Sequence, residues 1–241
     1  MISKNIKLAK KNLDSGNLIG LPTETVYGLA GNALDPEVIL NIYEVKKRPS
    51  FNPLIAHIGK KDQINKLCIN IPDAAHILID EFWPGPLTLI LEKSEIVPDL
   101  LTSGSNKIAV RLPSHPMAIE LLQSLKYPLA APSANPFQYV SPTCAQHVID
   151  QLGESISFVL DGGQCSIGIE STIIGFNNNK VEVYRLGGIP VKHIERVLKT
   201  KTKPKFMDKK LTFPGQGKKH YAPQKKIFCI SHGESFTKGK S

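Results

Sequence analysis

Little in this chain points to metal or disulfide chemistry. Its four cysteines, Cys68, Cys144, Cys165 and Cys229, stand far apart with no C-x-x-C pair and no histidine at metal-ligand spacing. That argues against a zinc site or a disulfide framework, and no metal site is assigned. Long apolar runs are missing too: none approaches the roughly 20 residues of a membrane span. Met1-Ile-Ser-Lys4 lacks the apolar block of a secretory signal, so the expected compartment is the cytoplasm. Neither a Walker A sequence nor G-x-G-x-x-G occurs, so any nucleotide site is of another kind. Acidic residues are scarce only at one end. Residues 201–241 hold 11 Lys+Arg and 2 Asp+Glu, whereas residues 1–200 hold 19 of each, so the formal charge of +9 belongs to the tail. A segment of that kind is either solvated or follows a polyanion, nucleic acid or a nucleotide's phosphates.

What is present suits a large soluble domain with a basic appendage. With 241 residues, 41% of them apolar, the chain can bury a substantial core. Helical spacing of Ile2, Ile6, Ala9 and Leu13 predicts a first helix over 2–13, and a short strand follows over 17–21. Further strands are expected at 54–58, 87–91, 108–112, 129–131, 158–160, 168–174 and 181–186. Helices are expected between them, at 36–48, 73–82, 115–126 with Ser114 as N-cap, 141–152 and 190–198. This alternation is the pattern of an α/β sheet covered by helices.

One stretch, residues 21–57, mixes hydroxyls, glycines, an acid and cations in a way that core packing does not require. Asp35-Pro36 reads as an N-cap followed by proline at the first helical position, and Val38, Ile39, Ile42 and Tyr43 keep helical spacing. Lys46, Lys47 and Arg48 then fall at the helix C-terminus, where cations ordinarily remain solvated and offset terminal carbonyls. Pro49 and Pro53 nevertheless force a rigid corner beside the glycine-containing loop 25–31, a setting suited to anions. His57 lies within an apolar strand, the usual place of a core histidine satisfied by hydrogen bonds. Arg111 lies in a strand fit for burial and therefore needs a partner, either a bound carboxylate or a protein acid. Small polar loops at 132–136 and 168–172 let a ligand approach the backbone.

Together, Pro22-Thr-Glu-Thr-Val-Tyr-Gly-Leu29, Lys46-x-Arg-Pro49, Asn52-Pro-Leu54, Trp83-Pro-Gly-Pro-x-Thr88, Val110-Arg-Leu-Pro113, Pro132-Ser-Ala-Asn135, Gly168-Ile-Glu-Ser-Thr172 and Arg185-x-Gly187 resemble the YrdC family over nearly all of residues 1–200. The resemblance implies a YrdC-like twisted mixed β-sheet flanked by helices as the catalytic domain, residues 1–200. It implies a nucleotidyltransferase that combines L-threonine, bicarbonate and ATP, with Mg2+, into threonylcarbamoyl-adenylate and pyrophosphate for the t6A modification of tRNA, handing the product to downstream threonylcarbamoyl-transferase proteins. By motif position it assigns Thr25, His57, Arg111, Ala131 and Ser171 to L-threonine. It assigns Lys46, Arg48, Asn52, Lys107, Ser133, Ser141, Arg185 and Tyr221 to ATP, with Lys46 and Arg48 as the charge-neutralising catalytic pair. His220-Tyr-Ala-Pro223 resembles the linker arm of the family's long form, so residues 201–241 are expected to be a basic arm over the site, with the second domain missing or reduced. The competing expectation is an RNA-binding module of the same fold without ligase activity, drawn from the charge of the tail.

Overall fold

The computed structural model describes residues 1–177 and 180–205. In chain order these begin with β1 (Ile2–Ser3), α1 (Ile6–Asp14), β2 (Ile19–Leu21), β3 (Gly28–Asn32), α2 (Pro36–Lys46), β4 (Ile55–His57), α3 (Ile64–Leu67) and β5 (Cys68–Ile69). Next come α4 (Asp73–Phe82), β6 (Leu87–Lys93), α5 (Asp99–Thr102), β7 (Lys107–Arg111), α6 (Pro116–Ser124) and β8 (Leu129–Ala130). The last are α7 (Ala145–Leu152), β9 (Phe158–Leu160), β10 (Thr172–Asn177), β11 (Lys180–Arg185), α8 (Val191–Leu198) and β12 (Lys203–Pro204).

The strands form one mixed sheet in the order β1-β9-β2-β3-β8-β4-β7-β6-β10-β11-β12, with β5 joined to β6. Successive side chains of a strand point to opposite faces, and the core divides accordingly. In β9, Phe158 and Leu160 join α1 and α6 on one face, while Val159 joins the larger core under α2, α4, α7 and α8. Across β4, β7, β6, β10 and β11 the larger core takes one face. A small cluster of Ile55, Ile90, Ala109, Ile173 and Tyr184 lies on the other.

The helix-flanked α/β sheet is the expected architecture, with local corrections. Residues 2–13 are not one helix. Ile2–Ser3 pairs in parallel with β9, and the Met1 and Ser3 carbonyls accept from Val159 and Asp161. Helical spacing reaches Ile2, but the open sheet edge satisfies its backbone, and α1 instead starts behind Asn5, whose side chain accepts from Leu8 N. Gly28–Asn32, read as loop, is a strand with Leu29 and Ala30 in the two different cores. Ser114 is not an N-cap. Helix α6 begins after His115, and the Ser114 N–H donates to Glu24 Oε2. Finally β12 pairs with β11, so the sheet runs past the expected boundary at residue 200. Among the described residues no helix is long and apolar enough to cross a membrane.

Helix α2 follows the sequence reading closely. Asp35 caps it by accepting from Glu37 N and Val38 N, with Pro36 at the first turn. Its end is made by Lys47 at φ +50°, while Lys47 N and Arg48 N donate to the Glu44 and Tyr43 carbonyls. A left-handed residue there turns Arg48 out of the helix and inward, at a cost of about 1–2 kcal/mol for a side chain other than glycine.

Candidate active site

Four strands deliver polar side chains to one end of the sheet, in a row that β10 joins with the apolar Ile173. His57 is paired with Arg111, Arg111 with Thr88, Thr88 with Ile173, and Ile173 with Arg185. Opposed residues on neighbouring strands share a face, so this row continues the Ile55–Ala109–Ile90 cluster. Above it a pocket opens between the 23–28 turn, the 131–133 segment and Glu170-Ser171. It holds about 550 Å3 of space, mouth included. The enclosed cavity itself is about 50 Å3, well below the roughly 300–1,000 Å3 usual for small-molecule sites, so most of the space belongs to the open mouth.

At one end Arg111 is fully organised by the protein. Its Nη2 donates to Glu24 Oε1 at 2.6 Å, Nη1 to Thr25 Oγ1 at 2.9 Å and Nε to the Gly85 carbonyl at 3.2 Å. Two of its five N–H donors remain for a ligand. The partner that the strand arginine required is thus a protein acid, Glu24, and a ligand carboxylate would have to share the guanidinium with it. Thr23 closes the network by donating to the Val26 carbonyl at 2.6 Å, so the Thr25 hydroxyl donates to Thr23 Oγ1 at 2.8 Å.

At the other end sit cations held by neutral oxygens. The side chains of Lys46 and Arg48 do not remain solvated: the residues are 1% and 8% exposed. Arg48 donates to Asn52 Oδ1 at 2.6 Å and to the Asn52 and Pro53 carbonyls at 3.0 and 2.9 Å. Phe137 lies 5.8 Å below the guanidinium. Burial, with Arg185 adding repulsion against a favourable contribution from Tyr43, pushes the Arg48 guanidinium down to about 10. Lys46 donates to the Ser133 and Asn135 carbonyls. Burial first and Arg48 second hold its ammonium well below the usual lysine range. Arg185 Nε and Nη2 donate at 3.0 Å to the carbonyl and hydroxyl of Ser171, and that hydroxyl also bonds Thr88 Oγ1 at 2.7 Å.

His57 sits between the two ends with Nδ1 3.2 Å from the Ile55 carbonyl, and the Leu129 carbonyl is a second backbone acceptor for the ring. Burial and then the charge of Arg111 push the imidazole down to about 3, so the folded state keeps it neutral while the unfolded chain protonates it below its ordinary 6.5. The folded pKa is the lower one. Its share of stability is therefore complete above pH 6.5 and is lost as pH falls toward 3. A slope of up to about 1.4 kcal/mol per pH unit is expected across that window in urea unfolding. His57→Asn should flatten it, and equal slopes in the two proteins would refute the assignment.

Backbone proximity builds the Ser171 corner. A Cβ on Gly187 would come within 2.3 Å of the Glu170 carbonyl oxygen and 2.4 Å of the Ser171 carbonyl carbon, both backbone. Gly187→Ala is therefore expected to displace the corner and to cost about 1–3 kcal/mol in thermal unfolding, as overpacking does. A wild-type melting curve would show the approach to be looser.

Of the residues selected from sequence, the structure brings Thr25, Arg48, His57, Arg111, Ala131, Ser133, Ser171 and Arg185 into the pocket wall. Lys46 and Asn52 stand behind it, one holding the 133–135 segment and the other holding Arg48. Ser141 also stands behind, its hydroxyl donating to Glu170 Oε1 at 2.5 Å. Lys107 is displaced altogether. It begins β7, pairs with Glu92 and donates to the Phe176 carbonyl. Four residues of strand put it about 13 Å from Arg111, at the opposite end of the sheet. Tyr221 lies outside the described residues. Sequence reading passed over Thr23, Glu24 and Glu170, although two acids embedded among hydroxyls and glycines were a usable signal. Among the described residues no cluster of three or more His, Cys, Asp or Glu side chains is placed to hold a metal.

Comparison with known proteins bears on this geometry. The Sua5/YciO/YrdC family model, described as telomere recombination, matches residues 11–187. The threonylcarbamoyl-AMP synthase of Pyrococcus abyssi is 41% identical over 229 residues, covering 93% of this chain and 67% of the relative. That of Bacillus subtilis is 40% identical over 219 residues, covering 88% and 62%. The solved structure of P. abyssi Sua5 complexed with L-threonine superposes with a TM-score of 0.87 at 41% identity, over 90% of this chain and 65% of that one. E. coli YciO, at 22% identity and a TM-score of 0.70 over 80% of this chain and 96% of that one, shares the fold. The chain spans between three fifths and two thirds of the length of the long relatives it matches.

Proposed function

The chain belongs to the Sua5/YciO/YrdC family, and from that premise we propose that it is a nucleotidyltransferase joining L-threonine, bicarbonate and ATP into threonylcarbamoyl-adenylate with release of pyrophosphate. The observation that carries the reading is the two-ended pocket. One end, organised by the buried Arg111–Glu24 pair, suits a small zwitterion, and the other presents Arg48, whose hydrogen bonds within the described residues go to neutral oxygens, as a counter-charge for phosphates. Support comes also from relatives named threonylcarbamoyl-AMP synthase and from a solved relative that holds L-threonine.

In this reading Thr25, His57, Arg111, Ala131 and Ser171 hold the amino acid. Two donors of Arg111 and the Thr25–Thr23 chain of hydroxyls take its carboxylate and hydroxyl. Arg48, Ser133 and Arg185 face the triphosphate. Lys46, Asn52 and Ser141 position those groups from behind, and Tyr221 is retained from the resemblance alone. Mg2+ arrives with ATP as part of the substrate. The carbamate oxygen attacks the α-phosphorus in line as pyrophosphate leaves, so catalysis rests on alignment and on neutralising charge on the phosphates. The product is a mixed anhydride fit for transfer to tRNA by downstream transferases, in the cytoplasm. The charge of residues 201–241 is the remaining support for a purely RNA-binding module, and the pocket favours the enzyme.

Titration calorimetry tests the two sub-sites separately. L-threonine alone and ATP with Mg2+ alone should each bind, and Arg111→Met should abolish the first while sparing the second. An absence of threonine binding by the wild-type protein would defeat the proposal.

A further inference from the structure

The wall of the pocket includes one carboxylate that the account above leaves unused, Glu170. Threonine arrives with its amine protonated, and a protonated amine has no lone pair with which to attack a carbon. Something must take that proton. Glu24 is spent: Oε1 accepts from Arg111 and Oε2 from Ser114 N. His57 is neutral, buried and pushed down to about 3, which makes it a poor acceptor. The Lys46 amine points at two carbonyls. Glu170 differs, because its one side-chain bond within the described residues is accepted at Oε1 from Ser141, and Oε2 keeps its capacity. The loop that carries it is tied to the threonine end of the pocket: Ile167 N and Gly168 N donate to the Glu24 and Thr25 carbonyls at 2.8 and 3.0 Å.

We propose that Glu170 is a catalytic residue, the proton acceptor for the α-amine of the amino acid, with Ser141 fixing its carboxylate. The proposal rests on the threonine-activating reading above. The charged and titratable groups that line the pocket with Glu170 are Arg48, Arg111, Arg185 and His57, with Ser141 bonded to Glu170 from behind. Arg48 and Arg185 add positive charge to the pocket, Arg111 being offset by Glu24, and positive charge opposes the ammonium form of the substrate and so assists proton loss. The step balances as follows. The ammonium gives one proton to Glu170, and the freed lone pair forms the N–C bond to the carbon of bicarbonate. The C–OH bond breaks, the departing hydroxide takes the second proton from nitrogen and leaves as water, and Glu170 returns its proton to solvent. The carbamate that results carries the oxygen needed for attack on ATP.

The test compares wild type, Glu170→Gln and Glu170→Asp in threonine-dependent pyrophosphate release as a function of pH. The amide keeps an acceptor for Ser141 but cannot take a proton. E170Q is expected to lose on the order of 10²–10⁴-fold in kcat, the usual share of a general base. Its KM for threonine should stay within about tenfold, and the loss should shrink as pH rises toward the amine's own pKa, where solvent deprotonates the substrate. E170D should recover part of the rate. A wild-type kcat in E170Q, a loss equal at every pH, or an effect confined to KM would each overturn the assignment. Should E170Q fail to fold, E170D is read alone, and an acid limb superposable on that of wild type would overturn it. Silence of the wild-type protein in the same assay would instead defeat the underlying reading, so the two failures are distinct.

Discussion

Replacing Arg48 with alanine is expected to lower kcat for threonine-dependent pyrophosphate release by about 10²–10³, the roughly 2.7–4 kcal/mol that one preorganised donor to a developing charge supplies. The size follows from how the side chain is held. Asn52 and the Pro53 carbonyl take its Nε and one Nη, and Phe137 lies beneath the guanidinium plane, so little reorganisation is needed when phosphates arrive. Desolvation makes the same point from the other side. Burial pushes the group down to about 10, meaning that its charge is costly where it is desolvated and is relieved by an anion. Arg48→Lys should recover little, since a point charge on a flexible stem cannot keep the Asn52 and Pro53 bonds while reaching the ligand. Threonine affinity, measured by calorimetry without ATP, should be nearly unchanged in both variants. A kcat within threefold of wild type for Arg48→Ala would remove Arg48 from the phosphate site.

Glu24→Ala is expected to destabilise the protein by about 3–5 kcal/mol, because it strands the Arg111 guanidinium without its counter-charge. The pair is 5% and 7% exposed at its side chains, and the 2.6 Å bond is the buried Arg111's contact with an acid. The second carboxylate oxygen also serves the Ser114 N–H, so one substitution orphans two donors, one on β7 and one in the loop after it. For a chain of this size each kcal/mol moves Tm by about 2–4 °C, so a fall of about 6–20 °C is expected in calorimetry. The double variant Glu24→Ala with Arg111→Met should regain much of the loss, since an apolar pair avoids burying a lone charge. A Tm within 2 °C of wild type for Glu24→Ala would show that water or another group compensates Arg111. The pair also bears on function: Glu24, Thr25 and the Gly85 carbonyl together leave only two guanidinium donors free, which sets the direction from which a carboxylate can approach.

The parts of the fold that local chemistry dictates were legible in advance. Helix α2 announces itself through Asp35-Pro36 and its apolar spacing, and β9 and α4 fall where their apolar runs predict. What escaped depends on partners distant in sequence. Ile2–Ser3 is a strand because β9, more than 150 residues later, offers it an edge, and Gly28–Asn32 is one because β2 and β8 flank it. The same distinction runs through the site. Arg111 declared its need for a partner by sitting in an apolar strand, yet nothing in the sequence chose Glu24 over a ligand. Lys107 shared a strand with Arg111, and only the sheet's geometry places it at the far end. Lys46 and Arg48 resembled a solvated helix terminus, and their burial comes from the 133–137 segment folding back over α2, where Phe137 N donates to the Lys46 carbonyl.

The most direct measurement is pyrophosphate release by the purified chain with ATP and Mg2+, varying L-threonine, L-serine and bicarbonate in turn. Release that requires threonine and bicarbonate together, and that falls when serine replaces threonine, is the result this account predicts. Release that is the same with and without threonine would contradict it.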